Sequence, residues 1–145
     1  MPDDTAATVD AIAQAHRSQP GGLLPALHAV QDALGHVPDA AVPVLAAAFR
    51  LSRAEVHGVL TYYHHFRRTP PGRHVVQVCR AEACRACGGE AVWAEAQRLL
   101  GADVTLEPAY CLGLCAVSPA LQIDDRLHAR VTPERLPALL AGVLR

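Results

Sequence analysis

No stretch of this 145-residue chain comes near the roughly 18 consecutive apolar residues that a membrane-crossing helix needs. No membrane span is therefore predicted. The opening Met1-Pro2-Asp3-Asp4 lacks the basic, then apolar, pattern of a secretion signal, so the expected compartment is the cytoplasm. Charge of one sign is also lacking: 13 Lys and Arg stand against 14 Asp and Glu, a formal net charge of -1. Neither nucleic acid nor an anionic membrane surface is expected as a partner. There is no internal repeat and no low-complexity segment. Gly21-Gly22 and Gly88-Gly89 stand outside any Rossmann or P-loop context, so no nucleotide site is expected. Cysteine, finally, is missing everywhere except between positions 79 and 115.

What is present is a hydrophobic fraction of 51% with 19% charged residues, enough for a folded core. The length suits one ordinary domain, or a small domain with a helical appendage. All five cysteines fall in two runs, Cys79-Arg-Ala-Glu-Ala-Cys84-Arg-Ala-Cys87 and Cys111-Leu-Gly-Leu-Cys115-Ala-Val-Ser-Pro119. In a reducing compartment such clustering points to metal or redox chemistry, and an odd number fits disulfide pairing badly. Two thiolate pairs make four soft ligands, suited to zinc or to an iron–sulfur cluster.

Spacing leaves the ligand set open. Cys79, Cys84 and Cys87 followed by a distant Cys111 follow the plant-type ferredoxin order. Cys84, Cys87, Cys111 and Cys115 look like a four-thiolate zinc site. A third grouping takes Cys79, Cys84, Cys111 and Cys115 and omits Cys87. Iron–sulfur and structural zinc stand level on spacing alone, with a dithiol redox pair at Cys84 and Cys87 third.

The remaining patterns set the scaffold. Residues 1 to about 7 read as a frayed start, and Val9 to about Arg17 as a first helix stopped by Gln19-Pro20-Gly21-Gly22. Leu23, Leu27, Val30 and Leu34 form the stripe of a second helix, ended by Gly35 and Pro38. A third is expected from about Asp39, its candidate N-cap, to Arg50, burying Val42, Leu45, Ala46 and Phe49. Ser52 and Glu55 have capping-box spacing at the start of a fourth, with Val56, Val59, Leu60 and Tyr63 as its stripe. Arg67 to Gly72 is a breaker and the expected boundary. Beyond it, Val75 to Val78 reads as a buried strand delivering Cys79, Glu90 to Leu100 as a helix, and Val104 to Glu107 as a second strand leading to Cys111. Leu121 to Asp124 and Leu127 to Val131 resemble a hairpin, and Thr132-Pro133 opens a last helix through Leu144. The prediction is an α+β chain, with a helical bundle over residues 1–69 and a three- or four-stranded sheet with packed helices over 70–145. Gly113, between Cys111 and Cys115, lets the backbone curl so that loop N–H groups reach sulfur.

Four stretches carry a family resemblance: Leu24 to Pro38, Glu55 to Phe66, Val78 to Cys84, and Tyr110 to Pro119. Together they resemble the thioredoxin-like [2Fe–2S] ferredoxins, which include the small peripheral-arm subunit of respiratory complex I, its counterparts in NAD-linked hydrogenases and, most closely, the gamma subunit of NAD-dependent molybdenum formate dehydrogenases. The resemblance covers nearly the whole chain. It implies four N-terminal helices, then a thioredoxin-like domain holding one [2Fe–2S] cluster on Cys79, Cys84, Cys111 and Cys115, with Cys87 spare. It further implies a non-catalytic electron-transfer subunit without dehydrogenase activity of its own. The implied partners are a flavoprotein carrying FMN and the NAD site, and a larger molybdenum- and iron–sulfur-containing subunit that oxidises formate.

Other residues invite lesser roles. His64-His65 lack a spaced acidic partner for a metal site and are expected at the end of the fourth helix, where imidazole suits the dipole. Glu55 needs no role beyond capping. Tyr62, Tyr63 and Phe66 read as core before partner-facing aromatics. Arg67, Arg68 and Arg73 make a basic patch too small for nucleic acid, while Arg80 and Arg85 flank the cysteines, placed to offset negative charge there or to face an acidic partner.

Overall fold

The computed structural model describes residues 2–144. They form two compact units, one ending at Pro70 and one starting at Pro71.

The first unit is four helices, α1 (Pro2–His16), α2 (Leu23–Leu34), α3 (Ala41–Phe49) and α4 (Arg53–Tyr62). Helix α1 begins at Pro2, seven residues before the apolar pattern does, so the frayed start expected over residues 2–7 is corrected; Met1 lies outside the described residues. A proline at the first helical position forfeits no intrahelical N–H bond, and Asp4 puts a negative charge at the positive end of the helix dipole. Helix α4 starts as its capping box dictates: the Ser52 hydroxyl accepts from the Glu55 N–H at 3.1 Å and the Glu55 carboxylate accepts from the Ser52 N–H at 2.7 Å. Asp39 caps nothing; its carboxylate instead pairs with the Arg68 guanidinium. Leu27, Val30, Leu45, Val56 and Leu60 fill the core.

Buried Gln31 ties the chain after α4 into this bundle. Its amide donates to the His65 carbonyl at 2.9 Å and its carbonyl accepts from the Arg67 N–H at 2.6 Å. Val37 N–H in turn donates to the Arg67 carbonyl at 2.7 Å. Phe66 is thereby buried against the His28 ring, 4.9 Å between centroids. The core reading holds for Phe66 and fails for its neighbours: Tyr62 is 75% and Tyr63 42% exposed. Because α4 ends at Tyr62, His64 and His65 lie beyond the helix and not on its last turn.

The second unit is a four-stranded sheet in the order β2-β1-β3-β4, made of β1 (His74–Cys79), β2 (Val104–Ala109), β3 (Leu121–Ile123) and β4 (Arg126–His128). A short helix that the periodicity does not announce, α5 (Glu82–Ala86), fills the loop after β1. Helix α6 (Gly89–Leu99) crosses between β1 and β2, which therefore run parallel, as such crossovers require. Val92 and Ala96 of α6 are buried with Val76 and Val78 of β1 and with Leu136 and Leu140 of α7 (Leu136–Leu140). Helix α7 is five residues long, not the thirteen from Thr132 to Leu144, because the Thr132 carbonyl closes a turn on Arg135 and Leu136 and the N–H groups of Val143 and Leu144 both fold back on Leu140.

The β3–β4 hairpin turns on Asp124 and Asp125, with Asp124 at φ 50°. The Asp124 carboxylate accepts from the Val75 N–H at 3.0 Å and pairs with His74 Nδ1 at 2.9 Å. Burial pushes its pKa up, but the Val75 N–H and the His74 ring outweigh this and hold it below the usual aspartate range. A depressed folded-state pKa contributes stability that is complete above the ordinary value, 3.8, and is lost as pH falls through the lower folded value. Asp124→Asn is accordingly expected to lower the melting temperature at neutral pH, with the gap to the wild type closing only below pH 3.8; thermal unfolding followed across pH checks this.

Candidate metal centre

Strand register decides where the cysteines meet. In the parallel β1–β2 pair Cys79 lies opposite Ala109, so Tyr110 and Cys111 leave the sheet at the edge where Cys79 ends β1. Strand β3 is antiparallel to β1, with Leu121 opposite Val78, so the segment from Cys115 to Ala120 arrives at that same edge. The Cys79 N–H donates to the Ala120 carbonyl at 3.0 Å and the Arg80 N–H to the Ala109 carbonyl at 2.7 Å, locking both approaches. Helix α5 carries Cys84 back under this edge.

The result is two thiol pairs of unlike character. Cys79 and Cys84 are each 2% exposed, while Cys111 and Cys115 are open to solvent. Cys111 Sγ and Cys115 Sγ stand 3.5 Å apart. Cys111 itself sits at φ 95° and Gly113 at φ 78°, a left-handed curl that only glycine adopts without strain, and the curl brings the Gly113 N–H to 3.4 Å from Cys111 Sγ. Cys87, at the end of α5, is exposed.

Electrostatics separate Cys79, Cys84 and Cys115. Burial pushes Cys79 up, but N–H groups of Ala81, Leu112 and Cys111, with the Cys84 thiol, outweigh it and lower its pKa below the usual thiol range. Cys84 is pushed up by burial, against hydrogen bonds from the Ser118 hydroxyl and the Ala120 N–H. Cys115 is raised by Cys111, through their hydrogen bond and the charge beside it. Contact of Cys79 with the backbone of Cys111 and Leu112 brings the two pairs into one site.

Arg80 and Arg85 do not present free charge there. The Arg80 guanidinium grips Glu90 at 2.8 and 3.2 Å and lies 4.8 Å over the Trp93 ring, and Arg85 reaches the same carboxylate at 3.5 Å. Gly89 at the start of α6 is a further part of the site: a Cβ there would stand 2.7 Å from the Cys84 carbonyl oxygen and 3.3 Å from that of Cys79. Sequence patterning misses it, because Gly88-Gly89 invites comparison with a phosphate loop; its position between the last α5 cysteine and α6 is the available signal. Ser118 is likewise missed, although it follows Cys115 by three residues.

Donor chemistry fits an iron–sulfur centre: a [2Fe–2S] cluster takes four thiolates, and two pairs of free thiols are what this sheet edge offers.

Residues 9–144 match the thioredoxin-like [2Fe–2S] ferredoxin description. The chain belongs to that family. It carries, as a family member, one [2Fe–2S] cluster. Among curated relatives, an NADH-quinone oxidoreductase subunit of Pseudomonas aeruginosa is 39% identical over 124 residues, covering 79% of this chain and 75% of the relative. Its namesake in Escherichia coli is 36% identical over the same shares. Among solved structures, an NAD+-reducing [NiFe]-hydrogenase in the air-oxidised state is similar at TM-score 0.65 and 27% identity. That match covers 84% of this family member but only 22% of the hydrogenase chain, so the chain spans about a fifth of that relative. No helix among the described residues of this ferredoxin is long and apolar enough to cross a membrane.

Proposed function

We propose that the chain is a one-cluster electron carrier whose cluster ligands are Cys79, Cys84, Cys111 and Cys115, with Cys87 outside the set. The observation that carries this is the meeting, at one sheet edge, of a buried thiol pair and an exposed one. The buried pair anchors; the exposed pair turns the site toward whatever exchanges electrons with it. When bound, a [2Fe–2S] cluster takes up and releases one electron at a time. This chain's residues hold the four sulfurs, donate N–H groups from Ala81, Leu112 and Gly113 to them, and keep water from the inner pair.

The partner in this reading is a flavoprotein carrying FMN and an NAD site, since a flavin converts the two-electron hydride of NADH into single electrons. The assembly is an NAD-dependent formate dehydrogenase, which also holds the larger molybdenum- and iron–sulfur-containing subunit; the support is the resemblance of the Leu24–Pro38, Glu55–Phe66, Val78–Cys84 and Tyr110–Pro119 stretches. A second assembly, of complex I or NAD-linked hydrogenase type, is favoured by the names of the relatives above. Capture of the tagged chain from its own cells separates them, because the co-purifying NAD-linked activity will depend on formate, on hydrogen or on quinone.

The cluster assignment is tested on anaerobically purified protein by electron paramagnetic resonance after dithionite reduction, with iron and zinc measured on the same sample. A spin-half signal and about two irons per chain are expected. Silence with one zinc per chain would withdraw the electron-carrier reading.

A further inference from the structure

We propose that the Ser118 hydroxyl is a hydrogen-bond donor to the Cys84 thiolate and raises the reduction potential of the cluster; this rests on Cys84 being a ligand, as above. Ser118 Oγ stands 3.4 Å from Cys84 Sγ and donates to the Cys115 carbonyl at 2.9 Å. A hydroxyl has one proton to give and two lone pairs to accept with. While Cys84 is a thiol either group can donate across the 3.4 Å contact, and the Ser118 proton is directed at the Cys115 carbonyl. Once Cys84 binds iron it has lost its own proton and its sulfur carries charge. The charged sulfur is then the better acceptor, since hydrogen bonds to ionised groups are about twice as strong as neutral ones, and the hydroxyl needs only to rotate.

The fold fixes the hydroxyl in that place. Val117 accepts from the Arg130 N–H at 2.8 Å, Pro119 from the Val131 N–H at 2.9 Å and Ala120 from the Cys79 N–H at 3.0 Å, so backbone bonds pin the segment on both sides of Ser118. Cys84 is 2% exposed, which denies water the same role. The Ala120 N–H also serves this sulfur, but a backbone donor belongs to any sequence, whereas the hydroxyl is a choice. Reduction adds one electron and no proton, and no bond to Ser118 forms or breaks. The added charge on the ligand sulfurs strengthens the O–H bond to Cys84 and so favours the reduced state, hydrogen bonds to sulfur being one of the determinants of cluster potential.

The test is a redox titration of the full-length, cluster-loaded protein, followed by the reduced-state paramagnetic signal. In Ser118→Ala the reduced-to-oxidised ratio at a fixed potential is expected to fall about tenfold, a downward shift of about 59 mV for a one-electron couple. Ser118→Thr, which keeps the hydroxyl, is expected to titrate with the wild type. Equal midpoints for Ser118→Ala and wild type, both with full cluster, would overturn the proposal while leaving the ligand assignment intact. A wild-type protein with no two-iron signal would instead overturn the reading beneath it. If Ser118→Ala retains too little cluster to titrate, Ser118→Gly replaces it; loss in both with full retention in Ser118→Thr would overturn a tuning role in favour of a purely structural one.

Discussion

The Cys111→Ala protein is expected to lose its [2Fe–2S] signal and its colour, while Cys87→Ala keeps both. The contrast follows from the neighbours of each thiol. Cys111 Sγ has Cys115 Sγ at 3.5 Å and the Gly113 N–H at 3.4 Å, and its backbone is hydrogen-bonded to Cys79. Removing it would break the outer pair and take away one of the four proposed ligands. Loss of a mere outer partner of a metal ligand costs roughly 10–100-fold in affinity, and loss of the ligand itself is expected to exceed that. Cys87 is exposed at the end of α5. Iron content and visible absorbance of the two variants, purified side by side under anaerobic conditions, decide the matter. A colourless Cys87→Ala protein would refute the ligand set.

Gly89→Ala is expected to act on the same site without touching a sulfur. The new methyl would meet the Cys84 carbonyl oxygen at 2.7 Å and its carbon at 2.9 Å, distances no real Cβ adopts, and both partners are backbone. Relief requires α5 to move away from α6, and Cys84 moves with it. Overpacking of this kind costs about 1–3 kcal/mol. The larger effect falls on cluster retention, because Cys84 and Cys79 must stay in register. Gly101→Ala, where the added carbon meets nothing within 4 Å, is the control and is expected to be silent. Thermal melting with iron analysis separates the two effects; a Gly89→Ala protein with full cluster and unchanged melting would show that α5 yields freely.

Much of this architecture is legible in the sequence because its signals are local. The capping box at Ser52 and Glu55, the β-branched run before Cys79 and the breakers at Gly35 and Gly101 each act over a few residues, and the elements they announce are there. The convergence of the two cysteine pairs is legible only as an expectation, since it depends on β1–β2 register across about thirty residues of chain. Helix α5 escapes because five residues are too few to show a period. Tyr62 and Tyr63 mislead because a stripe on a short helix does not say where its neighbours stop. Arg80 and Arg85 look like charge for the site, yet Glu90, ten residues beyond Arg80, claims it.

The unequal burial of the two pairs bears on how the site would be filled. With Cys79 and Cys84 each 2% exposed and Cys111 and Cys115 open, iron and sulfide bound on the proposed ligands would arrive from the Cys111 and Cys115 side. A partner docked on that side would cover the same approach, so the proposal puts loading before assembly.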